Sequence, residues 1–296
     1  MSSAQFVQYL ISGITSGSVY ALVGLGFTII YAVTKIINFA QGEFVMLGGL
    51  LSFMLIHSAG LPLVPALILS IISAAAVGAA MYLLAIRPAK NASVVSLIIL
   101  TIGAAIFIRG IAGQELTKAF VITPAFSGEG STVSFLGARI DVQALWIIGI
   151  MVVVTIVLHL FLNYTMVGKA LKACAINPVA SSLVGINPKT MALIAFVLAA
   201  ALGGIGGVVL APLTPLSYQA GVMLGLKGFV AAAIGGFSSP VAAVFGGLLL
   251  GIVENFAVAA NWGPFSSSYK DAIALIVLLL ILLVRSGKLA EEERAG

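Results

Sequence analysis

Long apolar runs alternate with short polar segments along this chain, and inside the runs the apolar residues show no period of two. That pattern favours helices over half-buried strands. A hydrocarbon layer of about 30 Å takes about 20 helical residues per crossing, and a helix satisfies its own backbone in lipid. The runs predict spans over residues 6–30, 42–58, 63–86, 93–112, 143–163, 189–210, 241–259 and 270–285. A ninth piece, 222–236, is short and glycine-rich, and reads as a re-entrant half-helix or a broken crossing. The expected fold is all-α: one polytopic membrane domain over 1–296 with eight to nine transmembrane helices, some broken or re-entrant.

Composition excludes the alternatives. Of 296 residues, 61% are hydrophobic and only 8% charged, against about 25% charged in a soluble domain. So little charge cannot wet a globular surface, which rules out a soluble protein, a disordered chain and a nucleic-acid binder. The lone cysteine, Cys174, excludes an internal disulfide framework and a multi-cysteine metal site. Met1 to Gln8 holds no Lys or Arg, and the apolar stretch Phe6 to Tyr31 is too long for a signal-peptide core. It reads as a retained span.

The net charge of +5 orients the chain, because Lys and Arg gather in cytoplasmic loops. The basic segments are Arg87 to Lys90, 164–188 with Lys169 and Lys172, and the tail with Arg285, Lys288 and Arg294. All three are expected inside. The longer 113–142 segment mixes Lys118 and Arg139 with Glu115, Glu129 and Asp141, and is expected outside with the N-terminus. An internal tail then requires 222–236 to cross, giving nine crossings.

Glycines four apart, such as Gly13 with Gly17 and Gly247 with Gly251, put side-chain-free positions on one helix face and let backbones approach. Two stretches look like interrupted helices: Tyr31 to Gly49 and Gly221 to Pro240. Such pairs point to inverted repeats around a central site. Charge in a bilayer core costs roughly 3 kcal/mol or more, so Glu43, Lys227 and Glu254 need partners, water or an interface position. Glu43 reads as a helix-start acid favoured by the macrodipole, or as a cavity-lining gate residue. Glu254 reads as an ion-pair partner of Lys227 or Arg109, and Lys227 as its partner or a snorkelling residue. All three are also candidates for a translocation path. His57 and His159 lie far apart, and no Ser-His-Asp set, HExxH, CxxC, GxSxG or Walker A motif occurs. The chain is expected to be no enzyme and to hold no cofactor.

The segment Thr165 to Lys189, TMVGKALKACAINPVASSLVGINPK, is much less apolar than its flanks. It predicts a helix ended by Asn177-Pro178, then a short helix over Val179 to Val184 stopped by Gly185, with Pro178 suited to a first turn. Residues 165–188 would form a stiff lever, or an amphipathic connector lying on anionic lipid.

Several stretches together resemble the permease subunit of bacterial ABC importers for branched-chain amino acids. They are GSVYALVGLGFTIIYAVTKIINFAQGEFVMLGG (17–49), Arg87-Pro88, GKALKACAINPVASSLVGIN (168–187), GLKGFVAAAIGGFSSPVAAVFGGLLLGIVEN (225–255) and YKDAIALIVLLLILLVRSGKL (269–289). The resemblance implies a bacterial inner-membrane protein paired with a second, related permease subunit. Two ABC ATPase subunits would bind below, carrying ATP and Mg, and a periplasmic substrate-binding protein would deliver the solute. It implies that Gly168, Lys169, Lys172, Asn177, Ala180, Gly185, Ile186 and Asn187 contact an ATPase. It places Asn38, Gln41, Gly42 and Glu43 in a broken segment near the translocation path. Gln41 stands where the family usually has His, Lys189 where it often has Arg, and RSGKL replaces the more usual RPxGL. Branched-chain or related hydrophobic amino acids are the expected cargo. Urea, short amides or aromatic solutes, or an ion-driven secondary transporter, are the alternatives.

Overall fold

Ser2 opens the first helix with a capping box: its hydroxyl accepts from the Gln5 amide while the Gln5 side chain accepts from the Ser2 amide. That helix, α1 (Ser3–Thr34), has 32 residues and is about 48 Å long, well beyond the expected 6–30. It ends at Lys35 in the left-handed conformation. The computed structural model describes residues 2–89, 92–116, 120–128, 130–237, 239–259 and 271–280. After α1 come α2 (Gln41–His57), α3 (Leu63–Met81) and α4 (Val94–Ile111). Single π-helical turns extend α3 over Tyr82–Ile86 and α4 over Ala112–Leu116. An antiparallel hairpin, β1 (Thr132–Phe135) and β2 (Ala138–Asp141), then pairs Thr132 with Asp141. It lies within the predicted outer loop and was not foreseen. The remaining helices are α5 (Val142–Tyr164), α6 (Met166–Ile176), α7 (Pro178–Leu183), α8 (Pro188–Leu210), α9 (Ala220–Ile234), α10 (Pro240–Ala259) and α11 (Asp271–Leu280).

Six of these helices are long and apolar enough to cross a membrane: α1, α3, α4, α5, α8 and α10. They match six of the eight expected spans; the expected 42–58 is the shorter apolar helix α2, and the structure is all-α and polytopic as expected. α2 has 17 residues and α9 has 15, each shorter than the about 20 residues of a straight crossing, and each is preceded by a non-helical segment. The non-helical segment 35–40 leads back into the bundle before α2 begins, so that the Gln41 side-chain amide donates to the carbonyl of Ala199, halfway along α8. Residues 211–219 lead inward before α9, with Leu216 buried against Gly49. The second break thus lies upstream of the predicted Gly221 to Pro240 stretch, whose Gly235 to Phe237 forms the α9–α10 turn. The last predicted span, 270–285, runs past the described residues, as do Lys90, Lys118, Glu129, Arg285, Lys288 and Arg294.

The two broken units run in opposite directions. α9 runs parallel to α1, with Lys227 beside Tyr20 and Phe237 beside Tyr31. α2 runs parallel to α8, with Phe44 beside Gly203 and Val45 beside Gly207. One cavity joins Gln8 to Leu213, so the end of α8 lies at the start of α1. The start of α1, the hairpin, residues 211–219 and the end of α10 share one end of the bundle. The end of α1, α6 and the start of α10 share the other. Phe44 and Phe196 are buried in the cluster joining α2 and α8, Ile147 in one joining α1, α5 and α8, and Phe27 in one joining α1, α2 and α9. Ile72, Ile99, Ile106 and Val157 face outward from α3, α4 and α5.

Candidate functional site

Residues 165–188 fold as two short helices locked at every joint. Only Thr165 separates α6 from α5; it caps α6 by accepting from the Gly168 amide at 3.0 Å. A Cβ on Gly168 would lie 2.6 Å from Leu162 Cα, so glycine there lets α6 fold tightly under α5. Leu171 and Cys174 point inward, whereas Lys169 and Lys172 are exposed. The Lys172 ammonium donates to Asn163.

Asn177 caps α7 by accepting from the Val179 and Ala180 amides at 3.0 and 2.9 Å, with Pro178 in the first turn. Gly185 has φ +86°, which a side-chain-bearing residue adopts only with strain. The next amide, of Ile186, donates to Ser181, and Asn187 caps α8 through the Lys189 amide. The predicted break and stop positions are those the structure uses. What sequence reasoning missed is the outer surface: Ile176 and Leu183 are 87% and 83% exposed, and Val179 and Val184 are also open. Apolar side chains grouped at the polar end of a membrane bundle mark a contact surface.

Inside the bundle, the candidate path residues form two separate groups. In the first, the starts of α2 and α9 meet. A Cβ on Gly42 would lie 2.6 Å from Gly225 Cα, so two helix N-termini touch backbone to backbone. Asn38 caps the approach by accepting from the Ala40 amide, and the Gln41 side chain lies against Gly26 and Gly203. Glu43 is 1% exposed. Its Oε1 accepts from Arg109 Nη2 at 2.5 Å and from Nε at 3.2 Å, tying α2 to α4. Its Oε2 lies against Gly221.

The second group is centred on Lys227. Its ammonium donates to Glu254 at 2.6 Å, Asp271 at 2.7 Å and the Tyr20 hydroxyl at 3.3 Å, using all three hydrogens. Tyr20 donates to the other oxygen of Glu254 at 2.7 Å. Four helices, α1, α9, α10 and α11, are joined at this point. Of the two partners expected for Glu254, the structure selects Lys227; Arg109 goes to Glu43. Tyr20 and Asp271 were not foreseen, although a tyrosine inside an apolar helix and an acid heading one were visible signals.

Among the described residues, no group of three or more His, Cys, Asp or Glu side chains could hold a metal ion.

A family model described as branched-chain amino acid transport system / permease component matches residues 9–282. The chain is 33% identical over 293 residues to the high-affinity branched-chain amino acid transport system permease protein LivH of Escherichia coli K12. That alignment covers 94% of this chain and 93% of LivH. It is also 33% identical to the corresponding permease protein BraD of Pseudomonas aeruginosa, over 95% of this chain and 94% of BraD. Among solved structures, PsaBC from Streptococcus pneumoniae in complex with a Fab is similar in fold, with a TM-score of 0.52 at 13% identity. It covers 94% of this chain and 91% of that one.

Proposed function

The chain belongs to the branched-chain amino acid permease family, and from that premise we propose that it is the membrane-spanning subunit of an ABC importer for branched-chain or related hydrophobic amino acids. It works in the bacterial inner membrane beside a second permease subunit. ATP, with Mg, is bound and hydrolysed by two partner ATPases, and a periplasmic protein supplies the solute. The observation that carries this reading is the two-helix segment Met166 to Leu183, with Ile176, Val179, Leu183 and Val184 bared at one end of the bundle. An ATPase gripping these side chains moves α6 and α7. The single-residue joint at Thr165 passes that motion to α5, the four-residue joint 184–187 passes it to α8, and α8 carries α2 through the Gln41 contact. Energy enters as a difference in partner affinity between two bundle conformations.

Leu183→Asp tests this directly. Leu183 is exposed, so the variant should fold and reach the membrane, while leucine uptake by cells carrying the complete transporter falls tenfold or more. Uptake at the parental rate with Leu183→Asp, and again with Val179→Asp, would remove the coupling assignment.

A further inference from the structure

A cavity of about 380 Å³ opens at the end of the bundle opposite α6 and α7, between the first half of α1, the hairpin and the end of α10. Its size suits a small solute. Gln8, Ser12 and Ser16 line it from one face of α1 at steps of four residues. None of these three side chains has a hydrogen-bond partner among the described residues. The opposite wall is β2, where Arg139 and Asp141 both line the cavity and both are exposed. Two apart on a strand, they project from the same face, about 7 Å from one another along the backbone.

Arg139 has no ion-pair or hydrogen-bond partner among the described residues. Asp141 uses Oδ1 to cap α5 by accepting from the Gln143 amide at 2.8 Å, leaving its other oxygen open. Ile11, Ala144 and Leu213 supply apolar wall. A guanidinium, a carboxylate and an aliphatic surface around one cavity match the three parts of an aliphatic α-amino acid: carboxylate, ammonium and side chain.

We propose that this cavity receives a free aliphatic α-amino acid, Arg139 holding its carboxylate and Asp141 its ammonium. The site rests on the amino-acid transport reading and gives the cargo a first station on this chain. α1, at 32 residues, exceeds the bilayer thickness, which leaves its polar start standing beyond the hydrocarbon with the hairpin.

Equilibrium binding of radiolabelled leucine to the full chain in phosphatidylcholine nanodiscs tests it. Arg139→Gln and Asp141→Asn should each weaken binding at least tenfold, and Arg139→Lys should recover part of it. Asn caps a helix as well as Asp, so α5 keeps its start, and monodisperse elution checks folding. Leucinamide, lacking the carboxylate, and isocaproate, lacking the ammonium, should bind at least tenfold more weakly than leucine. Equal binding by wild type and both variants, equal binding of the two analogues, or no binding by wild type would each overturn the site. So would loss of leucine binding when phosphatidylethanolamine is added, because a lipid headgroup would then own the cavity. Leucine uptake by cells carrying the complete transporter is scored separately, so the transport reading stands or falls on its own result.

Discussion

Lys227 is one cation facing two carboxylates, and Glu254 beside it is fully buried. Deleting one member of a buried pair leaves an uncompensated charge and costs about 3–5 kcal/mol. Lys227→Met should therefore lower the unfolding midpoint of the detergent-solubilised protein sharply. Lys227→Met combined with Glu254→Gln should recover most of that loss, because no bare carboxylate then remains in the core. Equal destabilisation by the single and double changes would show that the pair is not coupled. The sequence showed that these charges need partners but not which ones, since Glu254 had two basic candidates on different helices. Only the packing of α9 against α10 resolves that choice. Glu43 illustrates the same limit. Its place at the start of α2 suits the helix dipole, and the Arg109 guanidinium across from it is a tertiary fact.

At the scale of elements, the glycines decide how closely helices meet. Gly207 on α8 faces Val45 on α2, and a Cβ there would lie 2.8 Å from the Gly49 amide nitrogen. Gly207→Ala should cost about 1–3 kcal/mol through overpacking. Gly103 on α4 meets nothing within 4 Å of its built Cβ. Gly103→Ala should be neutral or stabilise by up to about 1 kcal/mol, as a helix interior prefers alanine. Thermal unfolding of the two variants side by side checks the contrast. Both carry a Gly→Ala change inside a long apolar helix, and no local rule separates them. The helix breaks were partly legible: Asn38 to Gly42 and the Asn177-Pro178 step stood out by residue type. The 211–219 segment, APLTPLSYQ, has two prolines and did mark a helix end, but its inward course depends on Leu216 finding the space above Gly49.

For the whole molecule, the charge reading and the packing divide the connecting segments in the same way. The hairpin belongs to one end of the bundle and α6–α7 to the other. Ser134→Cys and Ser182→Cys should be labelled by an impermeant maleimide from opposite sides of a sealed membrane. Cys174 is buried and should contribute little background. Labelling of both from one side would overturn the topology on which the coupling and cavity assignments depend.

What the sequence alone determined is what lipid and the backbone enforce. A 61% hydrophobic chain with 8% charge must place its apolar runs in helices across a bilayer, and the caps and prolines at 165–189 must stop and restart them. These constraints act within about 20 residues and leave their mark in residue type. Tertiary structure alone decided that the starts of α2 and α9 meet at Gly42 and Gly225, that Lys227 joins four helices, and that Arg139 and Asp141 face α1 across one cavity. Each depends on groups far apart in the chain, brought together by helices that pack on small residues with little hydrophobic drive between them in lipid. A contact set by shape in this way leaves no periodic signature in the sequence.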